Sequence, residues 1–258
     1  MARRLGKNIG SYMGETIDIT HVLHEIEQRC RASGWEKTPF PVSEKTVLPA
    51  YCRLSRHPRK TIYISAGMHG DEPAGPLAVR RLFEEDSWPT DVSFWIIPCL
   101  NPGGFLLNRR GNEEGIDLNR DYREPKTALV RAHVQWLKDR PNFDLSLCLH
   151  EDWEANGFYL YELNPDEQPS LAAGIVGKVR KVCPIDMAPT IEGREAHEGI
   201  IRANPDLVRR PDWPEAFYLI HHKTRLSYTL EGPSDFRLAT RVAGLVEGVK
   251  AVCEAMSA

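Results

Sequence analysis

The sequence predicts an α/β fold: a single domain built on a mixed, largely parallel central β-sheet with helices on both faces. Three observations carry this. Short β-type runs alternate with helical ones along 258 residues, the pattern of one layered α/β domain. Three β-type runs, at Ile62–Ala66, Phe94–Ile97 and Leu145–Leu149, are apolar on consecutive residues, as strands buried on both faces are. The chain also shows no repeat, low-complexity tract or long linker at which to divide it, so one domain is expected over residues 1–258.

In chain order, a helix is expected over Ile17–Arg31, inside an N-terminal helix and strand region covering residues 1–60. The run TIYISAG then reads as a strand, Ala74–Glu85 as a helix, and DVSFWIIPCL as a strand rich in β-branched and aromatic residues. Lys126–Lys138 reads as a helix: Pro125 suits a first turn, and Thr127, Ala128, Val130, Val134 and Leu137 make an apolar stripe. FDLSLCLH and GFYLYEL follow as strands, then a helix over Ser170–Val182. Scattered Pro, Gly and charge from Pro184 to Pro214 predict a long excursion, of the kind that walls active sites. AFYLIHH and RLSYTLEG read as strands, and Leu238–Met256 as a closing helix.

Composition excludes several function classes. Lys+Arg 33 against Asp+Glu 36 gives a net charge of −3, and no basic block or aromatic-interleaved basic stripe appears. Nucleic acid is therefore not the expected partner. No apolar run approaches the roughly 20 residues of a membrane span, so no membrane role is expected. The opening MARRLGKNIGSYMGET has no apolar core of a secretory signal, which makes the cytoplasm the expected compartment. Cys30, Cys52, Cys99, Cys148, Cys183 and Cys253 form no CxxC pair and read as small buried hydrophobes of a reduced protein.

Open α/β sheets bind ligands beyond the carboxyl ends of their strands. The polar residues there are MHGDEP, CLNPGG, LHED and TLEGPS, with RRGNEEGIDLNRDY between the second and third. His69 and Glu72, three apart in a turn, can ligate one metal from a single loop, although HxxE alone reads more readily as a surface turn with a helix-capping Glu. His150 closes the run LSLCL, and with His69 and Glu72 it completes a His₂Glu set, one of the usual catalytic zinc sets. Glu231 ends the run SYTL at the sheet edge, where a carboxylate could activate water. Arg110, Asn119 and Arg120 offer cationic and amide donors suited to a carboxylate. No GxSxG, P-loop or GxGxxG fingerprint is present.

The ordered series His69-x-x-Glu72, Arg110-x-Asn112, Asp117-Leu118-Asn119-Arg120, His150 and Thr229-x-Glu231 resembles the zinc carboxypeptidase family. It is similar most of all to the bacterial branch holding murein peptide amidases and to the neighbouring succinylglutamate desuccinylase/aspartoacylase group. The resemblance covers about Thr61 to Glu231 and implies the zinc carboxypeptidase, or phosphorylase/hydrolase-like, fold. It implies one zinc ion held by His69, Glu72 and His150, with Glu231 as the catalytic glutamate and Arg110 polarising the scissile carbonyl. Asn119 and Arg120, with Asn112 beside them, would bind the substrate's terminal carboxylate, and Asp117 would orient His69.

The family's mobile tyrosine has no counterpart: Tyr218 lacks its context and Tyr228 falls within a strand. Loop residues Glu192, Arg194, Glu195 and His197 are candidates for its substrate contacts. His21, His24, His221 and His222 read as ordinary structural histidines.

The expected protein is thus a zinc metallohydrolase, a metallocarboxypeptidase or amidase cleaving an amide next to a carboxylate-bearing terminal residue, with cell-wall peptides as one candidate. Its partner would be a small peptide or an N-acyl amino acid. The second of these corresponds to the alternative, a deacylase of the desuccinylase/aspartoacylase type. A non-catalytic binding protein on the same scaffold is the third reading, disfavoured because every expected catalytic position is filled.

Overall fold

The computed structural model describes residues 3–6, 15–203 and 210–257. Most of the opening stretch read for a targeting signal, and residues 204–209 of the excursion, lie outside them. Helix α1 (Ile19–Ala32) starts where the Asp18 carboxylate accepts the His21 N–H at 2.9 Å, which satisfies one unpaired donor of the first turn. Short strands β1 (Glu36–Lys37), β2 (Phe40–Pro41), β3 (Val47–Leu48) and β4 (Tyr51–Arg53) follow. Then come β5 (Lys60–Ala66), α2 (Ala74–Glu85), β6 (Val92–Ile97), α3 (Pro102–Leu106), a 3₁₀ turn at Leu118–Arg120 and α4 (Ala128–Lys138). The second half holds β7 (Leu145–Asp152), β8 (Tyr159–Leu163), α5 (Ala172–Val179), β9 (Thr190–Ile191), β10 (Arg194–Glu195) and β11 (Ile200–Arg202). It closes with α6 (Glu215–His222), β12 (Ser227–Pro233) and α7 (Leu238–Ser257).

One eight-stranded sheet, in the order β1-β4-β6-β5-β7-β12-β8-β11, carries the fold. Its centre, β6-β5-β7-β12, is parallel throughout. The β4 edge turns antiparallel, and β8 lies antiparallel to β12 and parallel to β11. The expected single α/β domain with a mixed, mostly parallel sheet is what forms. From β5 the chain crosses to β6 on one side and later returns to β7 on the other, so the strand order reverses between β5 and β7. A crevice opens at the carboxyl ends of such a pair.

Strand alternation divides the interior. Ile62, Ile64, Leu145, Leu147, Leu149, Tyr228 and Leu230 face a core shared with α1, α2, α5 and α7. Tyr63, Cys148 and Leu163 face a second core with α4 and α6. Both faces are covered, which is why the central strands read as continuous apolar runs. Polar residues of these strands, Ser65, Ser146, His150, Thr229 and Glu231, occupy alternate positions in phase with the second face.

One predicted strand is a helix. AFYLIHH lies within α6, where Glu215 through Ile220 are all buried. A short, wholly buried apolar run has no periodicity to tell strand from helix, and packing on the sheet decides it. His221 and His222 therefore end a helix. The six cysteines are buried and unpaired, and no helix among the described residues is long and apolar enough to cross a membrane.

Candidate active site

His69 and Glu72 lie in the loop joining β5 to α2, and His150 lies near the end of β7. The loop is held by close backbone approach. A Cβ on Gly70 would come within 2.0 Å of the Gly104 carbonyl carbon in α3, and Gly67 takes φ +64°, a conformation that favours glycine. Asn101 ties the neighbouring segments together. Its Nδ2 donates to the Met68 carbonyl at 3.2 Å and to the Arg110 carbonyl at 3.4 Å, and its Oδ1 accepts the Gly104 N–H.

The three side chains converge. His69 Nδ1 lies 2.6 Å from Glu72 Oε1, and His150 Nδ1 lies 3.0 Å from Glu72 Oε2. One ligand atom from each falls within 4.8 Å of the others, and all three residues are buried. The other His69 nitrogen, Nε2, lies 3.2 Å from Asp117 Oδ1, which leaves Nδ1 as the converging atom. Two imidazoles and a carboxylate so placed fit a zinc ion by donor chemistry.

Charge is balanced tightly here. Burial pushes the Glu72 carboxyl up, but His69 and His150 beside it outweigh burial and hold it below the usual range. Asp117 is likewise lowered, its burial overcome by His69 and by Arg110, whose Nε donates to Asp117 Oδ2 at 2.9 Å. Arg110 Nη1 also stands 3.6 Å from Glu72 Oε1.

Glu231 behaves oppositely: burial, then the charges of Glu72 and Asp152, raise its proton affinity well above that of an ordinary carboxyl. It sits within β12, paired in register with His150 on one side and Tyr159 on the other.

A cavity of about 600 Å³ opens from this group. Arg110, Asn119, Arg120 and Glu231 all line it. The Asn119 Oδ1 accepts the Glu215 N–H at 2.8 Å, and Arg120 donates to the Asn119 carbonyl. Asn112 is absent from the cavity wall, and its Oδ1 accepts the N–H groups of Glu114 and Ile116, closing a turn. Of the excursion residues, Glu192 and Arg194 reach the cavity while Glu195 and His197 do not; both of the latter are exposed.

Several wall residues were not anticipated from sequence, among them Tyr159, Tyr161, Arg210 and Phe217. The alternation of GFYLYEL contains the signal for the tyrosines, since Tyr159 and Tyr161 lie opposite Glu231 and Thr229 in the antiparallel register. Arg210 and Phe217 come from segments distant in sequence, and only packing brings them here.

Beneath the cavity floor a buried polar chain was also unforeseen. Tyr63 donates to Glu215 Oε1 at 2.8 Å and Ser65 to Oε2 at 2.8 Å. Tyr63 has a single proton, so its oxygen accepts from His133 Nε2 at 3.0 Å, and His133 Nδ1 accepts from Tyr122 at 2.7 Å. His133 is thereby a neutral imidazole of fixed tautomer, and burial depresses its pKa to about 3.

Comparisons with known proteins bear on the fold that carries this group. The succinylglutamate desuccinylase/aspartoacylase catalytic domain matches residues 58–171. Carboxypeptidase SOL1 of Arabidopsis thaliana is 34% identical over 32% of this chain and 21% of its own, so the chain spans about a fifth of the length of that curated relative. A metallo-carboxypeptidase from Pseudomonas aeruginosa, solved with (2-guanidinoethylmercapto)succinic acid, superposes with a TM-score of 0.66 at 18% identity, covering 94% of this chain and 70% of that one. The fold is that of the metallocarboxypeptidases. A candidate metallopeptidase from Shewanella denitrificans aligns over nearly its whole length, with a TM-score of 0.80 at 20% identity, 96% of this chain and 99% of that one. The chain therefore carries its His–Glu–His group on a fold shared with these solved structures.

Proposed function

We propose that the protein is a zinc-dependent hydrolase that cleaves an amide bond next to a carboxylate-bearing terminal residue of a small peptide. The observation that carries this reading is the shared cavity. Glu231 stands in register with His150 of the His–Glu–His group, while Arg110, Asn119 and Arg120 line the same space. His69, Glu72 and His150 would hold one zinc ion, which when bound supplies Lewis acidity that acidifies water and polarises a carbonyl oxygen.

The chain's own residues do the rest. Arg120 and the Asn119 amide bind the terminal carboxylate, and the Glu215 N–H on Asn119 Oδ1 turns Nδ2 toward the substrate. Arg110, held by Asp117, donates to the scissile carbonyl oxygen as negative charge develops there. Glu231 takes a proton from the attacking water and passes it to the leaving nitrogen. Asp117 holds both Arg110 and His69, so one carboxylate sets the geometry of the donor and of the ligand.

The match to the desuccinylase/aspartoacylase catalytic domain favours a second reading, release of an amino acid from an N-acyl derivative by the same residues. The test offers zinc-loaded protein a γ-D-glutamyl-diaminopimelate cell-wall peptide, ordinary L-peptides and N-acyl amino acids, with products read by mass spectrometry and a chelator control. Chelator-sensitive release of a terminal residue supports the peptidase, and preference for the N-acyl amino acids supports the deacylase. Absence of turnover on all of them, with zinc bound stoichiometrically, would overturn the hydrolase reading.

A further inference from the structure

Beside the His–Glu–His group lies a buried ion pair that the proposed chemistry leaves unused. Arg241, near the start of α7, is wholly buried, which is rare for so long a cation unless it is paired. Its Nη1 donates to Glu151 Oε2 and its Nη2 to Glu15 Oε2. Glu151 follows His150 in β7 and is itself buried. Its Oε2 also accepts the Ser234 hydroxyl at 3.1 Å, from the turn between β12 and α7.

Glu151 holds Glu72 from two sides. Its backbone N–H donates to Glu72 Oε2 at 3.1 Å. Its other carboxylate oxygen, Oε1, accepts the Ala74 N–H at 2.5 Å, two residues beyond Glu72 and at the first residue of α2. That helix has no cap of its own, because Pro73 at the N-cap makes no side-chain capping bond. A carboxylate reaching in from β7 fills this place and meets the positive end of the helix dipole. The loop bearing His69 and Glu72 is thus fixed at its far end by Glu151, as close packing of Gly70 fixes its middle.

A buried carboxylate without a counter-charge is costly, and here it would also repel Glu72. Arg241 supplies the counter-charge, so Glu151 can act as an ionised acceptor beside a second buried carboxylate. We propose that Glu151 and Arg241 are positioning residues for the metal ligands, holding the Glu72 carboxylate and the start of α2 in the arrangement that retains the ion. This rests on the zinc reading of the His–Glu–His group. Arg241 is not part of the cavity wall, so replacing it reaches the ion through Glu151 and not through substrate.

The experiment measures zinc affinity by competition with a chromogenic chelator, together with the visible spectrum of cobalt(II)-loaded protein, whose bands report ligand geometry. Arg241→Met, of similar length but uncharged, should lower zinc affinity about tenfold or more and shift the cobalt bands. Arg241→Lys should restore part of the affinity, because a point charge still faces Glu151. The Glu151→Gln/Arg241→Met double variant keeps the test decisive where Arg241→Met fails to fold, since neither charge of the pair remains. It should show the same loss, because an amide accepts the Ala74 N–H without charge assistance. Lys250→Met is the control: it breaks an ion pair between α7 and Glu85, at the opposite end of α2, and should leave both readouts unchanged. Parent-like zinc affinity and cobalt bands in the folded double variant, whatever its melting temperature, would overturn the positioning role. So would a loss in Lys250→Met as large as that in Arg241→Met, which would reveal a general loosening of α7 against α2. Both outcomes leave the zinc site standing, whereas a parent chain that binds neither ion overturns the site and the positioning role together.

Discussion

Glu231 and His150 are direct partners across the parallel strands β12 and β7. Their neighbours Leu230 and Leu149 both pack into the core on the opposite face of the sheet. Register therefore sets the height of the candidate base relative to a candidate ligand, and two buried leucines hold that register. A slip of one residue would send Glu231 into the apolar core, so this spacing is built into the sheet and not into a loop.

Glu231→Gln should leave zinc stoichiometry unchanged and lower kcat by at least about 100-fold, since the amide has the same shape and no basic oxygen. Metal analysis and steady-state kinetics on one preparation check it. Near-normal turnover would remove Glu231 as the proton carrier.

Arg120→Ala should raise KM for substrates with a free terminal carboxylate by about 10- to 100-fold. Matched amidated substrates should change little, because they offer no anion to lose. An equal loss on both would show that Arg120 acts only through its hydrogen bond to the Asn119 carbonyl.

Gly70→Ala should weaken metal binding. The added methyl would meet the Gly104 carbonyl carbon at 2.0 Å and the Phe105 nitrogen at 2.4 Å, both backbone, so the loop carrying His69 and Glu72 has to move. A zinc affinity reduced about tenfold or more, measured by competition with a chromogenic chelator, is the expected result. Gly193→Ala makes the control for loop substitutions without close contacts: it has nothing within 4 Å but a φ of +68°, so it tests strain alone.

Glu215 should make stability depend on pH. Burial raises its carboxyl to about 7, against the hydrogen bonds from Tyr63, Ser65 and Cys148 that favour the ionised form. A carboxyl raised in the folded state favours folding fully below its unfolded pKa near 4.5, and that contribution is lost as pH climbs from there to about 7. The loss is on the order of 3 kcal/mol at most. Glu215→Gln should flatten this part of the curve, so that thermal melts of the zinc-loaded proteins between pH 5 and pH 8 converge for the variant and fall for the parent. Parallel curves would remove Glu215 as the source.

What the sequence legibly held was local. Helix α2 spans the predicted Ala74–Glu85, and β5, β6, β7, β8 and β12 all overlap predicted runs, because strand burial on two faces and helical apolar stripes leave periodic marks in the chain. His69, Glu72, His150 and Glu231 could be picked out for a related reason: a polar residue ending an apolar strand stands out, and open α/β sheets bind ligands at that edge. The tertiary structure decided what periodicity does not encode. It turned AFYLIHH into α6, because a fully buried run offers no pattern and packing chose the helix. It withdrew Asn112 into a turn and brought Arg194 and Arg210 to one wall, since contacts between distant loops follow from the folded path alone. It also joined Tyr63, His133, Tyr122 and Glu215 into one buried hydrogen-bonded chain. Strands and sheet-edge chemistry are written residue by residue, whereas a cavity wall is a sum over segments whose meeting depends on every fold-level contact at once.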